Sequence, residues 1–252
     1  MLPIVHPDVV GMNAPELILL AGAALVASTL AAVTGFGGAA VLLPVLVAVF
    51  GVRDAIPILT VAQLIGNGSR VWFNRTELDL GVVRWFALGG IPAALLGGAL
   101  FATAPLSALT RILGAFLLFV VAWRHLRPGP PPHIPLRSFA ILGAVSSFLS
   151  ALLGSVGPLM APFFLAYGLV KGAYIGTEAL STVVMHVTKL VAYGNASLLT
   201  GPSVAIGLAL GPIMIIGSFT GKRIVDRLPE QVFVVIIEGV LIVAGLTFLI
   251  GG

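Results

Sequence analysis

"AAVTGFGGAAVLLPVL", residues Ala31 to Leu46, interrupts an apolar run with Thr34-Gly35-Phe36-Gly37-Gly38, a stretch that forms helix poorly. Within a bilayer, backbone that leaves a helix loses its hydrogen-bond partners. It persists there only where protein buries it or where it lines a wet cavity. A second interruption, Gly154-Ser155-Val156-Gly157-Pro158, stands in the other half of the chain.

The surroundings of both breaks read as membrane. Of 252 residues, 59% are hydrophobic and 9% are charged, and mean hydropathy is +1.15. A soluble domain carries about 25% charged residues, so the chain reads as an all-α polytopic membrane protein. A barrel would instead show alternating ten-residue strands. The chain has no cysteine, which excludes disulfides and thiolate metal sites. No metal or other cofactor is expected. GxSxG, HExxH and Walker motifs are missing from the sequence, and the prediction is a protein that is not an enzyme. Basic residues are not interleaved with aromatics, so nucleic acid has no support as a partner. Pro3, His6, Pro7, Asp8 and Glu16 precede the first apolar run without a basic segment, so that run reads as structural rather than as a cleaved signal.

Apolar segments fall at 17–33, 39–50, 55–73, 82–102 and 106–123. After the linker "RHLRPGPPPHIPLR" (Arg124 to Arg137) they recur at 138–153, 159–170, 174–193, 204–219 and 231–250. The halves align: "PVLVAVFGVRDA" (44–55) sits against "PFFLAYGLVKGA" (162–173), and "GGIPAALLGG" (89–98) against "LALGPIMIIGS" (208–218). The division is therefore a first repeat over 1–123, a cytoplasmic linker over 124–137 and a second repeat over 138–252. In this alignment Arg70 and Lys189 fall one position out of register.

Loop charge sets the orientation. Suppose that the first two segments of each half form a hairpin that enters and leaves by one face. Arg75, Arg84, Arg124, Arg127, Arg137, Lys171, Lys222, Arg223 and Arg227 then lie on one side. Each half becomes a broken or re-entrant hairpin plus three transmembrane helices. The odd crossing number inverts the second repeat relative to the first, as in many secondary transporters. Both termini are then periplasmic or extracellular, in an inner (plasma) membrane.

At about 1.5 Å per residue, the segment 39–50 reaches only about 18 Å, too short for a core of about 30 Å. Each break is followed by a short helix whose N-terminus carries free N–H groups and about +0.5 charge. Two such ends entering from opposite faces would form an anion site near the middle. The bland alternative is that these glycines only let helices cross closely. On the following spans, Thr60, Gln63, Asn67 and Arg70 share one face, as do Glu178, Ser181 or Thr182, His186 and Lys189. Each has a second reading. Arg70 and Lys189 would snorkel to the interface, and Glu178 would pair with Lys171 or favour its helix start. Gln63 and Asn67 would bond between helices, and His186 would carry protons or simply pack. Glu238 in the last span would pair or face a cavity.

The doubled pattern resembles the TauE/SafE family of sulfite and organosulfonate exporters. The likeness rests on Thr34-Gly35-Phe36-Gly37-Gly38 with Pro44, on Gly89-Gly90-Ile91-Pro92 with Gly97, on Gly154 to Pro162 and on Pro212 to Gly221. It implies a multi-pass permease for small sulfur-containing or carboxylate anions, such as sulfite, thiosulfate or organosulfonates. The expected partners are that anion and the lipid bilayer, and a homo-oligomer is left open. The predicted substrate-binding set is Gly35, Phe36, Gly37, Gly38, Gln63, Asn67, Arg70, Gly154, Ser155, Val156, Gly157, Thr182, His186 and Lys189. The rival readings are a cation or metal permease using Glu178, His186 and Glu238, and a membrane scaffold subunit that moves no solute.

Overall fold

Asn13 and Glu16 start the first helix reciprocally. The Glu16 N–H donates to Asn13 Oδ1 at 3.0 Å, and the Asn13 N–H donates to Glu16 Oε2 at 3.2 Å, which satisfies two of the otherwise free N–H groups of a helix start. The structure is a computed structural model. It describes residues 12–34, 38–126, 134–154 and 156–224, together with Ile242, Leu246, Leu249 and Ile250. Among these residues there are eight helices and no strand. They are α1 (Ala14–Thr34), α2 (Gly38–Phe73), α3 (Leu80–Thr103), α4 (Leu106–Leu126), α5 (Ser138–Leu153), α6 (Gly157–Ala166), α7 (Lys171–Asn195) and α8 (Gly201–Ile224). Four of them, α1, α2, α3 and α8, are long and apolar enough to cross a membrane by length and composition. The expected span at 231–250 lies mostly outside the described residues.

The sequence suggested a loop at 51–54, but the structure narrows that break to one residue. Gly51 has φ 76° and ψ 165°, and helix resumes at Val52. That conformation is open essentially to glycine alone. It divides α2 into a short limb, 38–50, and a long limb, 52–73. The long limb runs about 33 Å and the short limb about 20 Å. In the second half the corresponding short helix is α6, with 10 residues. A turn through Gly168, φ 103°, then leads into α7.

Both short helices are held inside protein. Leu42, Leu43, Leu46 and Phe50 of α2 are buried, as are Met160, Ala161 and Phe164 of α6. The outer surface is apolar: Ile18, Leu88, Leu96 and Ile141 are each at least 65% exposed, as befits helices that face lipid. Trp72 lies exposed beneath the Arg75 guanidinium, 4.6 Å from the ring centre, a pairing suited to the membrane interface.

The two hairpins return at opposite ends of α3. After the first, Arg53 donates to the Ala102 and Ala104 carbonyls at 3.1 and 2.7 Å, at the C-terminal end of α3. After the second, Gly172 abuts Glu77 and the Asp79 N–H donates to Thr177 Oγ1 at 2.9 Å, at the N-terminal end. Helix packing follows one pattern in both halves: α3 lies on α5 and α7, and α8 lies on α1 and α2. Close approach rests on small residues. A Cβ at Gly143 would strike the Phe86 carbonyl, and one at Gly217 would strike Ser28.

Candidate functional site

The long limb of α2 and helix α7 pack against each other and bury their polar faces. Gln63, Asn67, Arg70, Glu178, Thr182, His186 and Lys189 are all at most 8% exposed. Snorkelling, one reading of Arg70 and Lys189, is therefore excluded by the structure. The Arg70 guanidinium instead turns inward. It donates to the Ala31 carbonyl at 3.1 Å, at the end of α1, and to Asn67 Oδ1. Asn67 Nδ2 in turn donates to the Gln63 carbonyl at 2.8 Å. Lys189 Nζ donates to Ser150 Oγ at 3.1 Å, near the end of α5.

A cavity of about 40 Å³ opens where these groups meet the two helix breaks. Its wall includes Gly38 and Ala39 at the start of α2, and Val156, Gly157 and Met160 at the start of α6. Gln63, Asn67, Arg70, Ser150, Gly154, Glu178, Thr182 and His186 complete the polar and glycine lining. One water needs about 10–15 Å³ of such space, so the cavity suits a solute of three or four heavy atoms. Gln63 Nε2 and His186 Nδ1 are buried there without a hydrogen-bond partner among the described residues. Two helix starts and an amide donor thus converge on one space, an arrangement that favours negative charge.

The lining has a numerical regularity. Ala31 and Ser150, Gly38 and Gly157, Gln63 and Thr182, and Asn67 and His186 all line the cavity. Each pair shares one offset, 119, as 150 less 31 and 186 less 67 both give. Arg70 and Lys189 share it too, and each reaches back 39 residues to its bonded partner, Ala31 or Ser150. Their apparent slip in register comes from aligning on Pro44 and Pro162, which stand 118 apart. Beyond the polar spans the offset changes again, because Pro92 and Pro212 stand 120 apart.

Electrostatically the two basic residues differ. Arg70 Nη1 lies 3.7 Å from Glu178 Oε2. Among the described residues Lys189 meets no carboxylate: its Nζ donates to Ser150 Oγ and lies 6.0 Å from the centre of the Tyr193 ring. With Glu178 ionised and Lys189 protonated, the cavity and the Lys189 behind Ser150 carry one net positive charge.

A family model described as sulfite exporter TauE/SafE matches residues 20–248. The chain belongs to the TauE/SafE family. No curated protein matches it, and no solved structure does. The chain is thus a multi-pass membrane protein of a sulfite-exporter family.

In this TauE/SafE member the cavity brings together Gly38, Gln63, Asn67, Arg70, Gly154, Val156, Gly157, Thr182 and His186 of the expected set. Lys189 stands one hydrogen bond behind the wall rather than in it. Gly35, Phe36, Gly37, Ser155 and Glu238 lie outside the described residues. Glu178 pairs with Arg70, not with Lys171, and it lines the cavity. Ser150 was not anticipated, although it lies one helical turn before the Gly154 break. Thr60 turns away: its hydroxyl donates to the Ile56 carbonyl of its own helix at 2.7 Å and the residue is absent from the lining.

Proposed function

We propose that this protein is a secondary transporter that exports small sulfur-containing anions, with sulfite the best-fitting substrate, and that the cavity between α2 and α7 binds them. The observation that carries this reading is the meeting of two broken-helix N-termini with Arg70 in one buried space. Free amides at Gly38, Ala39 and Gly157 and the Gln63 amide would hold the oxyanion, and Arg70 would supply charge. Thr182 and His186 would line the path, and Lys189 would add attraction from behind Ser150. Sulfite, with four heavy atoms, suits the size of the cavity better than a longer sulfonate does.

Alternating access would come from rocking of two inverted repeats, 1–123 and 138–252, about the cavity, with 124–137 as the cytoplasmic linker. Two observations support that plan: the constant offset of 119 among lining pairs, and the return of the hairpins at opposite ends of α3. Inverted repeats of this kind place substrate at the repeat interface. A basic linker on the cytoplasmic side would put both termini outside.

The cation-permease rival is disfavoured by Arg70, which neutralises the one described carboxylate in the cavity wall. The test is purified protein in liposomes under imposed pH and voltage gradients, with labelled sulfite, thiosulfate, sulfoacetate and a divalent metal ion. Sulfite flux that Arg70→Gln abolishes is the expected result. Metal flux instead, or no flux under any gradient, contradicts the reading.

A further inference from the structure

Glu178 has no assigned task in anion binding, yet it stands in the wall of the cavity beside its main cation. Thr182 Oγ1 donates to Glu178 Oε1 at 3.1 Å. Glu178 Oε2 is buried, receives no hydrogen bond among the described residues and lies 3.7 Å from Arg70 Nη1. One oxygen is thus anchored, and the other faces the guanidinium that an incoming anion needs. An anion and this carboxylate cannot both take the same face of Arg70 without placing two negative charges together in a space of about 40 Å³. Like charges sharing a small buried site hold one of the pair protonated.

We infer that Glu178 is a tethered internal anion that occupies Arg70 when the site is empty, and that substrate displaces it with uptake of one proton by its carboxylate. This rests on the anion-site reading above and adds its coupling. The step balances. The ion pair of Arg70 and Glu178 becomes an ion pair of Arg70 and substrate, while the freed carboxylate takes a proton from hydronium and releases water. A buried carboxylate deprived of its cation is costly to keep ionised, so displacement and protonation occur together. Among the described residues, the ionisable groups around Glu178 are Arg70 from α2, Tyr174 one turn earlier on α7, and His186 further along α7 in the same cavity wall. Glu77, in the turn before α3, meets the first turn of α7 at Gly172. Among the described residues, Arg70, Glu178 and His186 are the ionisable groups that line the cavity. His186 is therefore the competing proton acceptor.

Calorimetry on purified wild-type protein in buffers of different ionisation enthalpy reads proton uptake per anion bound. The probes are formate and nitrate, oxyanions of three and four heavy atoms that match the cavity and do not titrate near neutral pH. The expected result is about one proton taken up per anion, with affinity falling about tenfold per pH unit on the alkaline side. In Glu178→Gln the same anions bind without uptake and without that pH dependence, and more tightly than wild type at alkaline pH. In His186→Asn the uptake persists. Three outcomes overturn the inference alone: wild type binds anion with no proton uptake, Glu178→Gln retains it, or His186→Asn abolishes it. If wild type binds neither anion, the anion site itself is wrong and this coupling falls with it. The wild-type measurement needs no variant, so it stands even if Glu178→Gln fails to fold.

Discussion

Lys189 Nζ donates to Ser150 Oγ at 3.1 Å, and both residues are fully buried. Arg70 meets the Ala31 carbonyl across the same 39-residue reach. Each half thus ties its polar span to the last turn before its own break. Ser150→Ala removes the acceptor and leaves the buried Lys189 amino group without its described hydrogen-bond partner. The expected loss of stability is about 1–3 kcal/mol, read as an earlier unfolding midpoint in detergent. Lys189→Met added to Ser150→Ala recovers most of that loss. A silent Ser150→Ala would contradict the assignment.

Arg70 and Glu178 behave differently, because each neutralises the other. Arg70→Gln leaves Glu178 buried with its main cation gone, at a cost of about 3–5 kcal/mol. The double variant Arg70→Gln with Glu178→Gln regains stability but not anion binding. Comparing unfolding midpoints with anion affinity across the three variants separates the structural role of the pair from its role in binding. An Arg70→Gln protein as stable as wild type, or a double variant that binds as wild type does, contradicts this account.

Much of this was legible in the sequence. Glycines that interrupt apolar runs marked both breaks, because lipid tolerates loose backbone so poorly. The spacing of Gln63, Asn67 and Arg70, and of Glu178, Thr182 and His186, gave the polar faces from helical period alone. The pairing of Arg70 with Glu178 was not legible. It depends on how α2 and α7 are turned towards each other, which is a tertiary relationship. The equivalence of Arg70 and Lys189 was hidden for a local reason. Pro44 and Pro162 dominate the alignment, yet the short limb of α2 and helix α6 differ in length, so the register slips there by one and returns to 119 on the polar spans.

Helix contact supplies a third prediction. Gly143→Ala drives a Cβ into the Phe86 carbonyl on α3, so α3 and α5 must part. Overpacking of this kind costs about 1–3 kcal/mol. Gly22→Ala on α1 has open space around the added carbon and is neutral or slightly stabilising, because alanine favours helix. Thermal unfolding of the two variants side by side checks the contrast. Equal midpoints would mean that α3 and α5 are not in contact at that point.

The break at Gly51 supplies a fourth. A Cβ there meets nothing within 4 Å, so any cost of Gly51→Ala comes from the backbone conformation alone. At φ 76° and ψ 165° that cost is about 1–3 kcal/mol. A variant that unfolds at the wild-type midpoint would show that the two limbs of α2 join in some other way.

The central claim is that an oxyanion sits between the two helix starts and Arg70. Selenite is a close analogue of sulfite and scatters X-rays anomalously, so its position in crystals of the purified protein can be read without interpretation of shape. The account predicts an anomalous peak bounded by Gly38, Gly157, Gln63 and the Arg70 guanidinium, and its disappearance in Arg70→Gln. A peak at the protein surface, or none in crystals of protein that binds selenite in solution, would contradict it.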